Sequence, residues 1–383
     1  MREDWDIRLF KDVFDLQMGK TPDRKNFSLF EGDNTWVSIK DLDGKYISSS
    51  KECISDEAAK NIKLVKRGTV IMSFKLTVGK TAIAGKDLYT NEAIMAFNLR
   101  NGYDIDASFL YYYLKNYRWE GSNKAVMGIT LNKATISKHK IAIPPKPTQL
   151  SIVSELDKLN ELIQIKKEQL KDYDALAQSI FYEMFGDPVE NEKGWEVKKF
   201  GEIGTLERGA GISKKDFVDD GLPCIHYGQL HTIFGAYTRK NITFIPKDLL
   251  PKYKIAHSGD LILAITSEDV EGSCKSTAWL GDYDVVVGSD AAIFHHNQNG
   301  IYLSYYTRTK AFYNEKAKYA KGFKVTHIST KEIASISICV PPLPIQNTFA
   351  NKIEQIEKQK AIIQKIIMDL ETLLASRMQY WFD

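Results

Sequence analysis

The sequence is poor in cysteine: only Cys53, Cys224, Cys274 and Cys339 occur among 383 residues, with no C-x-x-C pair. A disulfide framework or a zinc site therefore has no support, and reduced thiols in a cytoplasmic chain are the expectation. Long apolar runs are missing too. Those present are as short as Ile362-Ile363 and Ile366-Ile367, against the roughly 20 residues a membrane span needs. The charged start, Met1-Arg2-Glu3-Asp4-Trp5-Asp6, has no apolar run behind it, so no signal peptide is expected. Glycine (24) and proline (11) are not enriched, which argues against large disordered stretches. The formal net charge of +3 does not by itself choose a partner.

Catalytic signatures are also lacking. Gly79-Lys80-Thr81 and Gly19-Lys20-Thr21 look like the end of a phosphate loop. The first glycine of G-x-x-x-x-G-K-[ST] would, however, fall on Phe74 and Phe14, whose bulk blocks the backbone cradle. There is no G-x-S-x-G, no H-E-x-x-H and no Asn-Pro-Pro-aromatic motif. Cys224, His226 and His231 lie close together, but no second ligand pair at zinc spacing accompanies them. His295-His296 reads as a strand-end pair. No catalytic residue and no metal ligand is assigned.

What the sequence does contain is one unit written twice. Trp5-Asp6-Ile7-Arg8-Leu9-Phe10-Lys11-Asp12-Val13 matches Trp195-Glu196-Val197-Lys198-Lys199-Phe200-Gly201-Glu202-Ile203 at an offset of 190. Arg67 to Ile71 matches Ser258 to Ile262. Ile143-Pro144-Pro145 with Gln149 matches Val340-Pro341-Pro342 with Gln346, now at an offset of 197. Ser179 to Phe185 matches Ser376 to Phe382 at the same offset. Four blocks in one order mark a duplication.

Each copy has two parts. The first is rich in β-branched and aromatic residues broken by Gly, Asn and Asp, as in Val70-Ile71-Met72-Ser73-Phe74, Thr81-Ala82-Ile83-Ala84 and Asp284-Val285-Val286-Val287. It reads as short strands and turns, with helices over Phe109–Tyr117 and Leu303–Tyr319. The second part is a long helix. Residues 149–185 contain no Gly or Pro. Ile152, Leu156, Leu159, Ile163, Leu170, Tyr173, Ala177 and Ile180 recur at three- and four-residue steps. Phe349, Ile353, Ile356, Ile363, Ile367, Leu370 and Leu374 do the same over 346–382. Such a narrow stripe suits a coiled-coil seam. Pro144, Pro145 and Pro147 keep the first helix from starting earlier, and Gly186 with Pro188 ends it. The expected fold is α+β: two α/β domains separated by two long helices forming an antiparallel coiled coil, an internal pseudo-twofold repeat. The expected divisions are 1–148, 149–186, 187–345 and 346–383. The first segment, 1–148, carries 24 Lys/Arg against 18 Asp/Glu, a basic balance that suits phosphate. The segment 186–345 is balanced at 19 of each, and the first helix, with four Lys against seven Asp/Glu, is acidic.

The Trp-opened domain, the Gly19-Lys20-Thr21-Pro22 turn, the I-x-I-P-P run with Gln149 beyond it, the helix ending S-x-x-x-x-x-F and the duplicated order resemble type I restriction-modification specificity subunits over the whole chain. The second copy departs from the pattern in Arg208-Gly209-Ala210-Gly211 and in Cys339 before Val340. The resemblance implies two target recognition domains, 1–148 and 187–345, each reading one half of a split double-stranded DNA target. It implies spacer helices that dock two modification methyltransferase subunits, and restriction/translocase subunits joining afterwards. The chain would be non-catalytic, in a bacterial or archaeal cytoplasm, with no membrane partner. S-adenosylmethionine, ATP and Mg belong to the partners on this reading. A 37-residue helix is about 55 Å long, and half-sites one turn apart lie about 34–36 Å apart, so a helical rod suffices to space two readers. The competing readings are a protein- or glycan-binding adaptor with a coiled-coil stalk, and an enzyme without recognisable motifs.

Phosphate contacts need cations and small polar groups on loops, and base contacts need Arg, Lys, Asn or Gln. Loop positions of those types give the DNA-binding candidates. In the first domain they are Lys20, Thr21, Arg24, Lys25, Lys75, Lys80, Lys124 and Thr130. In the second they are Arg208, Lys214, Lys215, Tyr227, Gln229, Lys321 and Lys324. Partner-binding candidates are the aromatic helix ends, Phe181, Phe185, Trp381 and Phe382.

Overall fold

The structure, a computed structural model, describes residues 5–119, 124–125, 128–129, 131–212, 214–247, 253–320 and 325–383; for 124, 125, 128 and 129 it describes the backbone alone. The chain divides into two compact units. Unit 1 is Met1–Lys167 with Lys365–Asp383, and unit 2 is Glu168–Gln364.

In unit 1 a five-stranded sheet runs Phe14–Met18, Ile94–Leu99, Val70–Ser73, Thr81–Ala84, Tyr46–Ile47. It is antiparallel except for the last pair, which is parallel. Val70–Ser73 and Thr81–Ala84 are buried at every position because both faces are covered. The period-two alternation of a strand divides them between two cores. Val70, Met72 and Ile83 face the core containing Phe109 and Leu156. Ile71, Ala82 and Ala84 face Val37, Leu42 and Leu88, beside a smaller sheet of Glu52–Ile54, Asn34–Val37 and Tyr89–Thr90. Unit 2 repeats the plan with Gly204–Arg208, Ala291–His296, Leu261–Ala264, Ser276–Trp279 and Tyr237–Thr238, again with a parallel last pair. Leu261 and Leu263 enter one core, Ile262 and Ala264 another.

The repeated sequence blocks have repeated jobs. Asp6–Leu9 pairs with Lys140–Ile143, and Glu196–Lys199 with Ser337–Val340. Gln149 and Gln346 are 1 % and 0 % exposed. Each carbonyl oxygen accepts from a backbone N–H, that of Asp106 at 2.8 Å and that of Asn299 at 3.0 Å. Each amide nitrogen donates to a proline carbonyl, Pro144 at 2.9 Å and Pro341 at 2.7 Å. A buried glutamine thus ties each long helix to the cap of a helix on the sheet. That sheet-bound helix is Ala107–Asn116 in unit 1, capped by Asp106. In unit 2 the helix expected over Leu303–Tyr319 is two, Gly300–Tyr306 and Lys310–Ala317. The break comes from threonine chemistry. Thr307 bonds Ser276 across to the sheet, and Thr309 caps Phe312 N–H.

The long helices are Lys146–Phe185 and Leu343–Phe382. They start earlier than expected because Pro147 and Pro344 occupy the first turn, where a missing N–H forfeits no helical bond. The pairing within each unit is antiparallel. In unit 1, Glu155 meets Arg377 and Lys167 meets Glu371, while Ile152 and Leu156 share a core with Met378. In unit 2, Asp174 meets Lys360, and the ring of Phe185 lies 5.3 Å from that of Phe349. None of the apolar seam positions expected from spacing is exposed. Among the described residues, no helix is long and apolar enough to cross a membrane.

Gln346→Leu strands the Asn299 N–H and the Pro341 carbonyl, so urea unfolding should show a loss of about 2–4 kcal/mol, and Gln149→Leu should show a similar one. His296 ends its strand with Nε2 buried and without a partner among the described residues. Burial, with His295 nearby, pulls its imidazole down to about 4. Between that value and the ordinary ~6.5 the unfolded chain holds the proton and the folded chain does not, so stability falls as pH drops through this window. Between pH 7 and 4.5 the parent should lose about 2 kcal/mol more unfolding free energy than His296→Phe, read from urea titrations at the two pH values.

Candidate nucleic-acid interface

The first candidate turn follows the edge strand of each large sheet. Gly19 N–H donates to Ile94 O and Lys20 N–H to Thr90 O, at 3.3 and 2.9 Å. Gly209 N–H and Ala210 N–H donate to Ala291 O and Val287 O, at 2.9 and 3.0 Å. The two turns are therefore the same turn, although one reads G-K-T-P and the other R-G-A-G. What they share is a glycine pressed on a neighbouring strand. A Cβ on Gly19 would stand 2.1 Å from Thr90 O, and one on Gly209 would stand 2.2 Å from Gly288 O. Only glycine lets the backbone approach this closely.

In unit 1 the turn collects charge around Glu92. The Thr21 hydroxyl donates to the Glu92 carboxylate. Burial alone would raise this carboxyl, but Thr21, Lys75 and Arg24 hold it below its usual range. Arg24 grips Glu52 through both nitrogens, at 2.5 and 2.9 Å, and covers the rings of Phe30 and Trp36 at 4.4 and 5.0 Å. That grip holds the Glu52 carboxyl low. Trp36 Nε1 donates to Lys20 O at 3.1 Å, fixing the turn from below. Lys75 follows Phe74, whose N–H donates to Ala93 O beside Glu92. The loop from Lys75 to Lys80 is closed by Ser73, which accepts Lys80 N–H at 3.1 Å, and by Gly79 at φ +91. Thr21, Arg24 and Lys75 thus converge on Glu92, while Lys20, Lys25 and Lys80 are exposed at the flanks. Two apolar side chains that sequence reasoning missed stand among them: Phe27, 77 % exposed, and Leu76, 70 % exposed and at φ +61. A bulky residue held left-handed and bare to solvent is costly.

Unit 2 builds its equivalent from other chemistry. Arg208 Nε donates to Ser289 O at 2.8 Å and lies 3.9 Å from Asp290. Thr266 Oγ1 meets Asp290 at 3.4 Å and His327 Nδ1 at 3.2 Å, and its carbonyl meets His231 Nε2 at 3.1 Å. Tyr227 packs on His226 and His231, with centroids at 4.6 and 6.0 Å. Burial lowers His226, which Asp290 and Lys214 flank. A cavity of about 800 Å³ opens here, lined by Tyr227, His231, Lys275, Arg308 and Lys316 with three carboxylates. Burial brings Arg308 down to about 10 and also lowers Lys275 and Lys316. Lys214 and Lys215 are exposed on the adjoining turn. Gln229, a base-contact candidate, is instead 7 % exposed; its amide serves His226 N–H and the Thr243 hydroxyl, so it supports the turn from inside. Thr130, Lys321 and Lys324 lie outside the described residues, as does the side chain of Lys124. The histidines were the signal to follow: six of the seven lie beyond residue 200. Among the described residues no cluster of three His, Cys, Asp or Glu is arranged to hold a metal.

The aromatic helix ends divide. Phe181 and Phe185 are 2 % exposed, packed on Tyr302 and Phe349 in the core of unit 2. They correct the expectation of a docking role, because a partner cannot reach them. Trp381 and Phe382 are half-buried: Trp381 Nε1 donates to Glu155 at 2.8 Å, and Phe382 packs on Phe109 and Tyr113. The exposed apolar residues of the helices are Leu150, Leu162, Ile165, Met368, Leu373 and Tyr380 in unit 1 and Leu176, Leu343 and Ile362 in unit 2.

Comparison with known proteins agrees with this duplicated architecture. The family described as "Type I restriction modification DNA specificity domain" matches residues 2–172 and again 192–372. The chain is 24 % identical to the type I restriction enzyme MjaIX specificity subunit of Methanocaldococcus jannaschii, covering 97 % of this chain and 91 % of the relative. It is 23 % identical to the MjaVIII specificity subunit of the same organism, covering 97 % and 92 %. In fold it resembles a chain from a structural study of complex assembly and conformational transition of the type I R-M system, with TM-score 0.62, 18 % identity, and 100 % and 98 % covered. It also resembles the type I restriction-modification S subunit from M. genitalium, with TM-score 0.52, 13 % identity, and 99 % and 96 % covered.

Gly19→Ala must displace its turn, since two of the obstructing atoms are the backbone oxygens of Thr90 and Asn91. Duplex affinity measured by fluorescence anisotropy should fall about tenfold, a loss of roughly 1.4 kcal/mol, with far-UV dichroism unchanged. Parent-like affinity would remove this turn from the interface.

Proposed function

The chain belongs to the type I restriction-modification DNA specificity family, whose business is DNA sequence recognition, and we propose how its two units divide that work. Each unit reads one half of a split duplex target with its turn-and-loop surface. In unit 1 these are the Lys20–Lys25 turn and the Lys75–Lys80 loop; in unit 2 they are Arg208, Lys214, Lys215 and Tyr227 beside the histidine cluster. Residues 1–148 and 187–345 are the recognition domains, and 149–186 and 346–383 the spacers. The observation that carries the reading is the repeated glycine turn: the same backbone bonds hold different side chains outward in each copy. Cations there neutralise phosphate, while the neighbouring polar and apolar groups meet base edges.

The chain makes and breaks no bond in this scheme. Methyl transfer and cleavage belong to partner subunits, which hold S-adenosylmethionine, ATP and Mg²⁺. Two modification methyltransferase subunits dock on the long helices, and restriction/translocase subunits join them in a bacterial or archaeal cytoplasm. The apolar residues exposed on those helices, Leu162, Ile165, Met368 and Leu373 among them, suit a protein partner better than the buried phenylalanines do.

Methylation mapping of a host genome with and without the chain tests the whole reading, and should return one bipartite motif that vanishes with the chain. A narrower test uses Lys75→Ala with Lys80→Ala. The slope of log affinity against log salt should become shallower by roughly 0.9 for each phosphate that is no longer neutralised. An unchanged slope would remove both lysines from the phosphate set, and salt-independent binding by the parent would overturn the DNA reading itself.

A further inference from the structure

Each large sheet ends in a two-residue strand, Tyr46–Ile47 in unit 1 and Tyr237–Thr238 in unit 2, paired in parallel with its neighbour. So short a strand has few backbone bonds to hold it. In both copies a cation beside it reaches a carboxylate on the long helix. Lys45 stands just before the strand, and its Nζ lies 2.6 and 2.7 Å from the two oxygens of Asp157. Arg239 stands just after the strand, and its Nη2 lies 3.0 Å from Glu354 Oε1. The carboxylates hold the same place in the repeat, each eight residues beyond the buried glutamine of its helix, Gln149 or Gln346. The cations do not, since one precedes its strand and the other follows it. The tie is repeated, although the cations that make it are not aligned.

Both ties are braced. The Tyr112 hydroxyl donates to Asp157 at 2.5 Å and accepts from Asn160 at 3.1 Å, and its ring lies 5.2 Å from Lys45 Nζ. Arg239 Nη1 donates to Leu280 O at 3.2 Å, and its guanidinium lies 6.0 Å from the Tyr237 ring. One partner of each pair is largely covered: the side chain of Lys45 is 19 % exposed and that of Glu354 29 %. Neither is the freely solvated pair that contributes little. Eight residues of helix span about 12 Å. Each long helix therefore grips its domain at two points about that far apart. The glutamine holds the cap of the sheet-bound helix, and the carboxylate holds the outer edge of the sheet. Apolar contacts between them are non-directional, so the two polar points set the tilt. DNA rises about 3.4 Å per base pair. A tilt of roughly 10°, carried across a domain about 20 Å deep, moves its reading surface by that much.

We propose that Lys45 and Arg239 are positioning residues: each fixes the tilt of its recognition domain on the long helix, and together they hold the chain to one spacer length in the split target. The inference rests on the split-target reading above. Neither residue touches a base or a phosphate in this scheme; each acts through the domain that it steadies. Helix length sets the coarse separation of the two half-sites, and the two ties set it to the base pair.

The test uses the full chain in its host and a plasmid array of the mapped half-sites, separated by the native spacer or by one base pair fewer or more. Lys45→Met with Arg239→Met keeps the aliphatic stems and removes both ties. Methylation of the off-length sites, relative to the native-length sites, should rise about fivefold, with the half-site bases unchanged. Asp157→Asn with Glu354→Gln breaks the same ties from the helix side and should broaden the profile equally. Lys45→Arg with Arg239→Lys keeps both charges and should leave the profile narrow. A profile as narrow as the parent's in the methionine or amide pair overturns the proposal. So does a fall in equal proportion at all three lengths, which is what a merely structural role produces. The amide pair is read in the same way, so a methionine pair that does not fold still leaves the proposal exposed. A parent without any split motif removes the DNA reading and this inference with it, whereas a narrow variant profile removes this inference alone.

Discussion

Unit 1 cannot close its core with contiguous chain, and the antiparallel helix pair supplies what is missing. Unit 1 needs Met378, Leu374 and Phe382 beside Ile152, Leu156 and Phe109. The half-buried cluster of Glu155, Arg377 and Trp381 fixes the register, joining residues more than 220 positions apart. Arginine suits that post because its planar fork meets a carboxylate through two nitrogens, here held over the Tyr380 ring at 4.3 Å. Unit 2 closes with Phe349, Ile353 and Ile356 against Ala177, Phe181 and Phe185. Such long-range closure is entropically late, so the final helix has to be present before unit 1 is whole.

That dependence explains why the architecture was legible and some details were not. A coiled-coil stripe must repeat at fixed spacing to stay on one face, so Ile152, Leu156, Ile163 and their partners announced the seam. The glutamine beyond each Pro-Pro was visible as a repeat, but its job was not. Only the fold shows that Gln149 and Gln346 each receive a distant N–H that would otherwise be orphaned. The proline rule misplaced the helix starts because it is a rule about helix interiors, and Pro147 and Pro344 lie in the first turn. Phe181 and Phe185 misled for a related reason: an aromatic residue at a helix end is equally suited to a partner or to the chain's own core, and here Phe349 and Tyr302 already surround them.

The geometry of the candidate cluster was half legible. Lysines on turns can be picked from sequence, and Lys75 and Arg24 do join Thr21 around Glu92. Their pairing state cannot be picked, because it depends on acids far along the chain. Arg24 is bound to Glu52, and Thr21 to Glu92. In unit 2 the site rests on Thr266, Asp290 and His327, three residues from three separate segments with no common motif. Periodicity carries no information about such a meeting.

The glycine turn lets one scaffold carry two different sets of side chains. Gly19 and Gly209 are demanded chiefly by backbone oxygens of a neighbouring segment, so the constraint fixes where the turn lies and leaves its other side chains free. Unit 1 has placed lysines, an exposed Phe27 and a left-handed Leu76 there; unit 2 has placed Arg208, Tyr227 and histidines. Because base discrimination comes from side-chain donors and acceptors, whereas positioning comes from backbone and phosphate contacts, the two copies can differ in what they read without differing in how they are held. On the proposed reading, an insertion in a loop of one copy, such as the longer run between Ala264 and Ser276, would alter one half of the recognised site and leave the other half unchanged.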